Sequence, residues 1–321
     1  MRPWTLFVAT LVVLFAPTSL FAQTFPLRPL HLIVPFPPGG GTDILARVLA
    51  DKLGQSLGQP VVVENRGGGG AIIGSDAVAK SPPDGYNLLL TSAVHAINPA
   101  VYRSLPYDTL RDFAPVTQVA TVPIILVVNA TLPVHSVQEL VAYAKARPGK
   151  LNIGASTSGS VFHLAAELFK SQAGIDMLHV PFRGASPAVM GLLANEVDVL
   201  FETPLSIAPH VKSGRLRPLA IGSLRRAPSL PDLPTLAESG FPGFSAENWY
   251  GLYVRAGTPE AIVQYLHREV VKALQLPDVR ERFASQSVEL IGSSPGEYSR
   301  FLKSEMNKWG VVARESHASA D

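Results

Sequence analysis

Two clusters of small residues hold what chemistry this sequence offers. One is Phe36-Pro37-Pro38-Gly39-Gly40-Gly41-Thr42-Asp43, and the other is Ser156-Thr157-Ser158-Gly159-Ser160. No acid or base is placed in either to support nucleophilic catalysis. Each stands where an apolar strand gives way to an amphipathic helix, with Thr42 or Asp43 as the expected cap of the first. The first N–H groups of a helix have no internal partner, and the macrodipole places about half a positive charge there, which suits a carboxylate or phosphate. Glycine at 39–41 removes the Cβ atoms that would hold such an anion off. The alternative is a Gly-rich loop that only turns the chain.

Other chemistries fail on spacing. A dinucleotide fingerprint needs G-x-G-x-x-G, but Ile44 follows Gly39 and Gly41 where the third glycine belongs, and Ile73 follows Gly68 and Gly70. The stretch from Gly74 to Ser81 approximates a P-loop, yet it reads as helix and Ala79 replaces an essential glycine. The esterase pattern G-x-S-x-G is missed at Gly154-Ala155-Ser156-Thr157-Ser158. His163 and Glu167, one helical turn apart, lack a third ligand and read as a solvated pair, so no metal and no cofactor is expected. Trp249, Tyr250 and Trp309 read as core rather than as an aromatic cage.

The elements that must position the two loops alternate strand with helix. His31-Leu32-Ile33-Val34 is a β-branched run closed by prolines, and Leu45, Val48, Leu49, Leu53 and Leu57 then recur at helical spacing. Strand, glycine loop and helix repeat over 60–80, and a third strand spans 86–90, which predicts a parallel sheet with its loops at the strands' carboxyl ends. Residues 98–112, with Pro99 and Pro106, read as irregular. The long β-rich run 116–129 is split by Pro123, one piece leaving a first domain and the other entering a second. Within that second domain come helices over 135–146 and 161–173, strands over 151–155, 177–182, 197–201 and 216–223, and helices up to 195 and over 204–213. Beyond a Pro-rich connector, a strand at 249–254 and helices over 259–274, 277–285 and 295–312 are too few for a third core and are expected to return to the first. If both domains turn their strand ends to one cleft, the two loops face each other as a clamp for a small carboxylate.

The opening residues, with one cation, an apolar run from Trp4 to Phe15, Pro17 and a cut after Ala22, read as a secretory signal peptide. The exported chain contains no cysteine, so disulfides, thiol catalysis and Cys-ligated metals are excluded. The roughly 300 residues left after the signal suffice for two ordinary domains without such staples. A net charge of +2 offers no footprint for nucleic acid. The last residues, from Glu315, read as frayed.

Longer blocks add a resemblance. VPFPPGGGTDILAR, PVVVENRGGGGAIIGSDAVAKSPPDGY, LPYDTLRDFAPVTQVATVPIILVVN, HVPFRGASPA and RLRPLAIGSLRRAPSLPDLPTLAESGFPGF are similar to the tripartite tricarboxylate transporter substrate-binding proteins, the Bug family. The resemblance covers the chain after the signal, in order. It implies a type II periplasmic-binding-protein fold: two α/β domains, 23–122 with 223–321 and 123–222, joined by two crossing strands around a ligand cleft. It also implies that Phe36, Pro38, Gly39 and Gly40 in one loop, and Ser156, Ser158 and Gly159 in the other, hold carboxylate through backbone groups and water. Asp43, Ser92, Gly184 and Asp198 match cleft-lining positions. The Arg66-Gly67-Gly68-Gly69-Gly70 run and the serine-rich second loop depart from the usual pattern, which bears on ligand identity. The expected protein is a monomeric periplasmic receptor, not an enzyme, that offers a small organic carboxylate to integral-membrane permease subunits. The rivals are a secreted enzyme using Asp43 or Asp198 on a carboxylate substrate, and a binding protein that reports to a sensor.

Overall fold

The computed structural model describes residues 25–156 and 159–315; the expected signal peptide, Ser158 and the end of the tail lie outside them. The chain begins with β1 (Leu30–Val34), α1 (Gly41–Leu57), β2 (Val61–Asn65), α2 (Ile72–Ala79), β3 (Asn87–Ser92), α3 (Val94–Val101) and β4 (Phe113–Pro123). A second run follows: β5 (Ile125–Asn129), α4 (Val137–Lys145), β6 (Asn152–Ala155), α5 (Val161–Ala173), β7 (Leu178–Pro181), α6 (Ala185–Leu193), β8 (Val199–Glu202), α7 (Pro204–Lys212) and β9 (Leu216–Ile221). The last part holds β10 (Glu247–Arg255), α8 (Glu260–Gln275), α9 (Pro277–Ala284), β11 (Glu289–Leu290) and α10 (Pro295–Glu315).

These strands form two sheets, ordered β11-β4-β10-β3-β1-β2 and β7-β6-β8-β5-β9. The first three strands run parallel, as expected from the sequence, within a sheet that is mixed overall. β1, β2 and β3 run parallel, but β10 enters between β3 and β4 antiparallel to both, because it arrives from the opposite lobe. β5 likewise lies antiparallel to β8 and β9. Only Ile124 separates β4 in one sheet from β5 in the other. Gly222 lies in the return path, donating its N–H to Ile124 O at 2.8 Å and accepting from Ala246 N at 2.9 Å. A Cβ at Gly222 would stand 2.6 Å from Ile124 Cγ1, so this close backbone approach needs glycine.

Helix α1 buries Leu45, Val48, Leu49, Leu53 and Leu57 against the first sheet and stops at Gly58, whose φ of +66° is left-handed. The returning helices pack on the first lobe, α8 against α1 and α10 against α3 and β4. Glu305 on α10 accepts hydrogen bonds from the indole nitrogens of Trp249 and Trp309, each at 2.8 Å, so both tryptophans belong to the core. The irregular reading of 98–112 is corrected at its start, where α3 runs through Pro99. Pro99 cannot donate to the His95 carbonyl, and the Thr109 hydroxyl takes that place at 3.4 Å.

Candidate ligand-binding site

The carboxyl ends of β1 and β3 face those of β6 and β8 across the seam between the lobes. Helix α1 starts from Gly40 at extended φ/ψ, and no side chain caps its first turn. The expected cap, Asp43, sits inside that turn and does something else. Its Oδ2 accepts from Gly39 N at 2.9 Å and Arg47 Nε at 3.0 Å, while Oδ1 accepts from an Arg47 guanidinium nitrogen and Asn65 Nδ2, both at 3.0 Å. Asn65 Nδ2 also donates to Phe36 O at 3.0 Å. Burial alone would raise the Asp43 pKa, but Arg47, Gly39 and Asn65 together lower it. Asp43 is thus an anchor that shapes loop 35–40 from behind, leaving the helix start open toward the cleft.

In the second lobe, Ser160 caps α5 by accepting from His163 N at 3.4 Å. The His163 ring is buried and stacks on His179, with centroids 4.2 Å apart. Its Nδ1 accepts the Gly159 N–H at 3.1 Å, which commits that donor to the protein. Burial lowers the His163 pKa, so the ring is neutral and able to accept. The solvated His163–Glu167 pair read from the sequence is therefore corrected to a buried ring that braces the loop; among the described residues no cluster suits a metal.

Between the lobes lies a narrow cavity of about 30 Å³. Gly40, Gly41, Thr42 and Ser92 line it from one side, Ser156, Phe162, Ala185 and Glu202 from the other, with Asn248 and Tyr250 reaching in from β10. None of its lining residues is Lys or Arg. The Tyr250 hydroxyl hydrogen-bonds to the side chains of Thr203 and Asn248, and burial raises its pKa, so it stays neutral. Thr203 Oγ1 in turn donates to Glu202 Oε1 at 3.3 Å. A second cavity, about 530 Å³, shares Phe36 and Pro37 with the first and is bordered by the Gly68-Gly69-Gly70 loop, Tyr102 and exposed Arg183.

The family model for the tripartite tricarboxylate transporter family receptor matches residues 45–317. The chain belongs to this family. It is 43% identical to Protein BugT of Bordetella pertussis over 315 residues, 98% of this chain and 96% of that protein. Its fold superposes on the periplasmic binding protein BugD with a TM-score of 0.88 at 32% identity, covering 92% and 99% of the two chains. It also superposes on Rpa4515 of R. palustris, solved with adipate, with a TM-score of 0.89 at 37% identity, covering 92% and 99%. The chain is accordingly a transporter receptor, a binding protein and not an enzyme, with the two-lobed fold of periplasmic binding proteins.

In this receptor the described residues among those anticipated from the sequence fall in four places. Phe36, Gly40, Ser92 and Ser156 line the cleft together. Pro38, Gly39 and Gly184 lie at the seam instead, where Ser186 Oγ donates to Pro38 O at 3.1 Å and a Cβ at Gly184 would stand 2.9 Å from Pro37 Cδ. Asp43 and Gly159 act from behind their loops, as described. Asp198 is corrected outright: it precedes β8 at the amino end and accepts from Asn152 N at 2.8 Å. Four strand residues, about 13 Å, then separate it from the cleft end. Glu202 and Tyr250 were not anticipated as cleft residues. The signal for Glu202 was a carboxylate directly after the apolar run Val199-Leu200-Phe201, at a strand's carboxyl end.

Proposed function

We propose that this receptor captures a small organic carboxylate, one carboxylate group resting on the backbone N–H groups at the start of α1, opposite Ser156. The observation that carries this reading is an uncapped helix start, bare of side chains at Gly40 and Gly41, facing a cleft whose lining holds no cation. A relative solved with adipate supports the ligand class. Entry requires the lobes to part, since about 30 Å³ is close to the space of one water while ligand pockets run to hundreds of Å³. The moving bodies are the described residues of 25–122 with 223–315, and those of 123–222, hinged at Ile124 and Gly222.

A thermal-shift screen over mono-, di- and tricarboxylates, including adipate and malate, tests the reading. A ligand at about 100 times its dissociation constant adds roughly 2.7 kcal/mol of stability, and NMR should recover it unchanged. No shift with any carboxylate, or a chemically altered ligand, sinks the proposal.

Delivery of the ligand to membrane permease subunits, by a monomeric receptor released into the periplasm after a cut near Ala22, completes the proposal. Among the described residues no helix is long and apolar enough to cross a membrane. Amino-terminal sequencing of the exported protein and uptake of labelled ligand with and without the permease test those steps; uptake that persists without the permease refutes the partnership.

A further inference from the structure

The two carboxyl groups beside the cleft are satisfied in opposite ways. Asp43 has donors on both oxygens, two of them from a guanidinium, which is how an ionised carboxylate is held. Glu202 is 1% exposed, and both of its hydrogen bonds with Thr203 fall on one oxygen. Oε1 accepts from Thr203 N at 2.8 Å and from Thr203 Oγ1 at 3.3 Å. Oε2 is buried and has no hydrogen-bond partner among the described residues. One oxygen accepting and the other without a donor is the pattern of a neutral carboxylic acid, whose carbonyl accepts and whose hydroxyl is free to donate.

We propose that Glu202 is held as a neutral acid and that its Oε2 hydroxyl is a specificity-determining donor, presented to an anionic oxygen of the ligand across from the α1 start. The inference rests on the proposed carboxylate function and adds a proton to it. A dicarboxylate brought against an ionised, water-excluded Glu202 would meet a like charge with no cation in the lining to offset it.

The surroundings agree. Strand β5 places Ile125 beside Glu202, Thr203 follows it at the N-cap of α7, and α5 contributes Phe162 to the same cleft; none of these is charged. The other titratable group facing the site, Tyr250 on β10, is neutral. Desolvation accordingly pushes the Glu202 pKa up to about 7, against lesser opposing effects of Thr203 and Ser156 hydrogen bonds. Charge at this position therefore changes within the range a periplasm can meet.

The test has a ligand-free arm and a binding arm. Infrared difference spectra of the wild-type protein minus the Glu202→Gln variant should show the carbonyl stretch of a protonated carboxyl at pH 6 that is gone at pH 9. Adipate and malate are then titrated calorimetrically at both values. Wild-type affinity should fall about 100-fold from pH 6 to pH 9, tenfold per unit above about 7. Glu202→Gln, an uncharged donor of the same shape, should bind equally at both, whereas Glu202→Ala should bind weakly at both. Absence of the infrared band overturns the proposal. So does pH-independent wild-type binding, or Glu202→Gln abolishing binding at pH 6, which would make Glu202 an ionised partner for a ligand cation. Should neither acid bind any variant at either pH, the carboxylate reading is what fails for these ligands, and the infrared band still decides the state of Glu202.

Discussion

Ser186 Oγ donates to Pro38 O across the seam, tying the first turn of α6 in one lobe to the loop before α1 in the other. Beside it Gly184, at φ +128°, lies against Pro37, and Gly39, at φ +86°, faces Ser186. Closure thus sets the backbone of Pro38, Gly39 and Gly184 against the Ser186 hydroxyl and the Pro37 ring. Small-angle scattering should show compaction on ligand addition. Gly184→Ala should reduce that compaction and weaken binding by about tenfold or more, because its Cβ would meet Pro37 only in the closed state and its backbone is strained. Ser186→Ala should cost under about tenfold, the value of one hydrogen bond. Full compaction in Gly184→Ala with wild-type affinity would disprove this account.

Anion recognition by backbone predicts an order of severity between two substitutions. Gly40→Val puts a branched side chain at a cleft-lining position and brings its Cβ to about 3.3 Å from Ala185 Cβ. Loss of even one charge-assisted hydrogen bond costs about 1.5 to 3 kcal/mol, roughly 10- to 150-fold in affinity. Arg183→Ala removes an exposed charge bordering the outer cavity and should cost less than about tenfold. Calorimetry on both variants, after circular dichroism confirms folding, decides between a helix-terminus site and an arginine clamp. The clamp is the answer if Arg183→Ala abolishes binding and Gly40→Val does not.

Asp43→Ala should destabilise the protein by about 2 to 3 kcal/mol in urea denaturation, since it strips partners from Arg47, Asn65 and Gly39 together. Its folded-state pKa lies below the ordinary 3.8, so the stability it contributes is present above that value and lost as pH falls through the folded one. Binding should weaken as well, through disorder of loop 35–40. A variant with wild-type stability at pH 7 would show that the loop does not depend on this carboxylate.

Glu202 has the opposite sign. Its pKa rises from 4.5 to about 7 on folding, so its contribution is intact below about 4.5 and is lost as pH climbs to about 7. That rise corresponds to about 3 kcal/mol. Glu202→Gln should therefore gain stability over wild type between pH 5 and 8 by up to that order. Parallel denaturation curves for the two proteins across that range would contradict it.

What could be read from the sequence was set by local physics. The five apolar positions of α1 were visible because burial on one face imposes helical spacing, and α5 was visible for the same reason. The place where the chain leaves the first sheet was visible as Pro123 in a β-rich run. Long-range effects were not. A hydroxyl ten residues beyond Pro99 lets α3 continue, and β10 inserts antiparallel from across the hinge. At the site, loop residues were legible because glycine and serine mark them. Glu202 was hidden because an acid ending an apolar strand looks like the strand's exit into water, and only tertiary packing seals it.

Strand β10, placed between β3 and β4, also governs the order in which the receptor can assemble. Asn248 accepts the Ala93 N–H from 155 positions away, and the first sheet lacks its central strand until residues 247–255 have been synthesised. The second lobe, by contrast, has every strand of its sheet within 125–221. Domains fold as units during synthesis, and distant pairings form late. The inserted lobe is thus able to form first, while the lobe that begins the chain stays open, its halves held apart by the very segment that later supplies the other jaw.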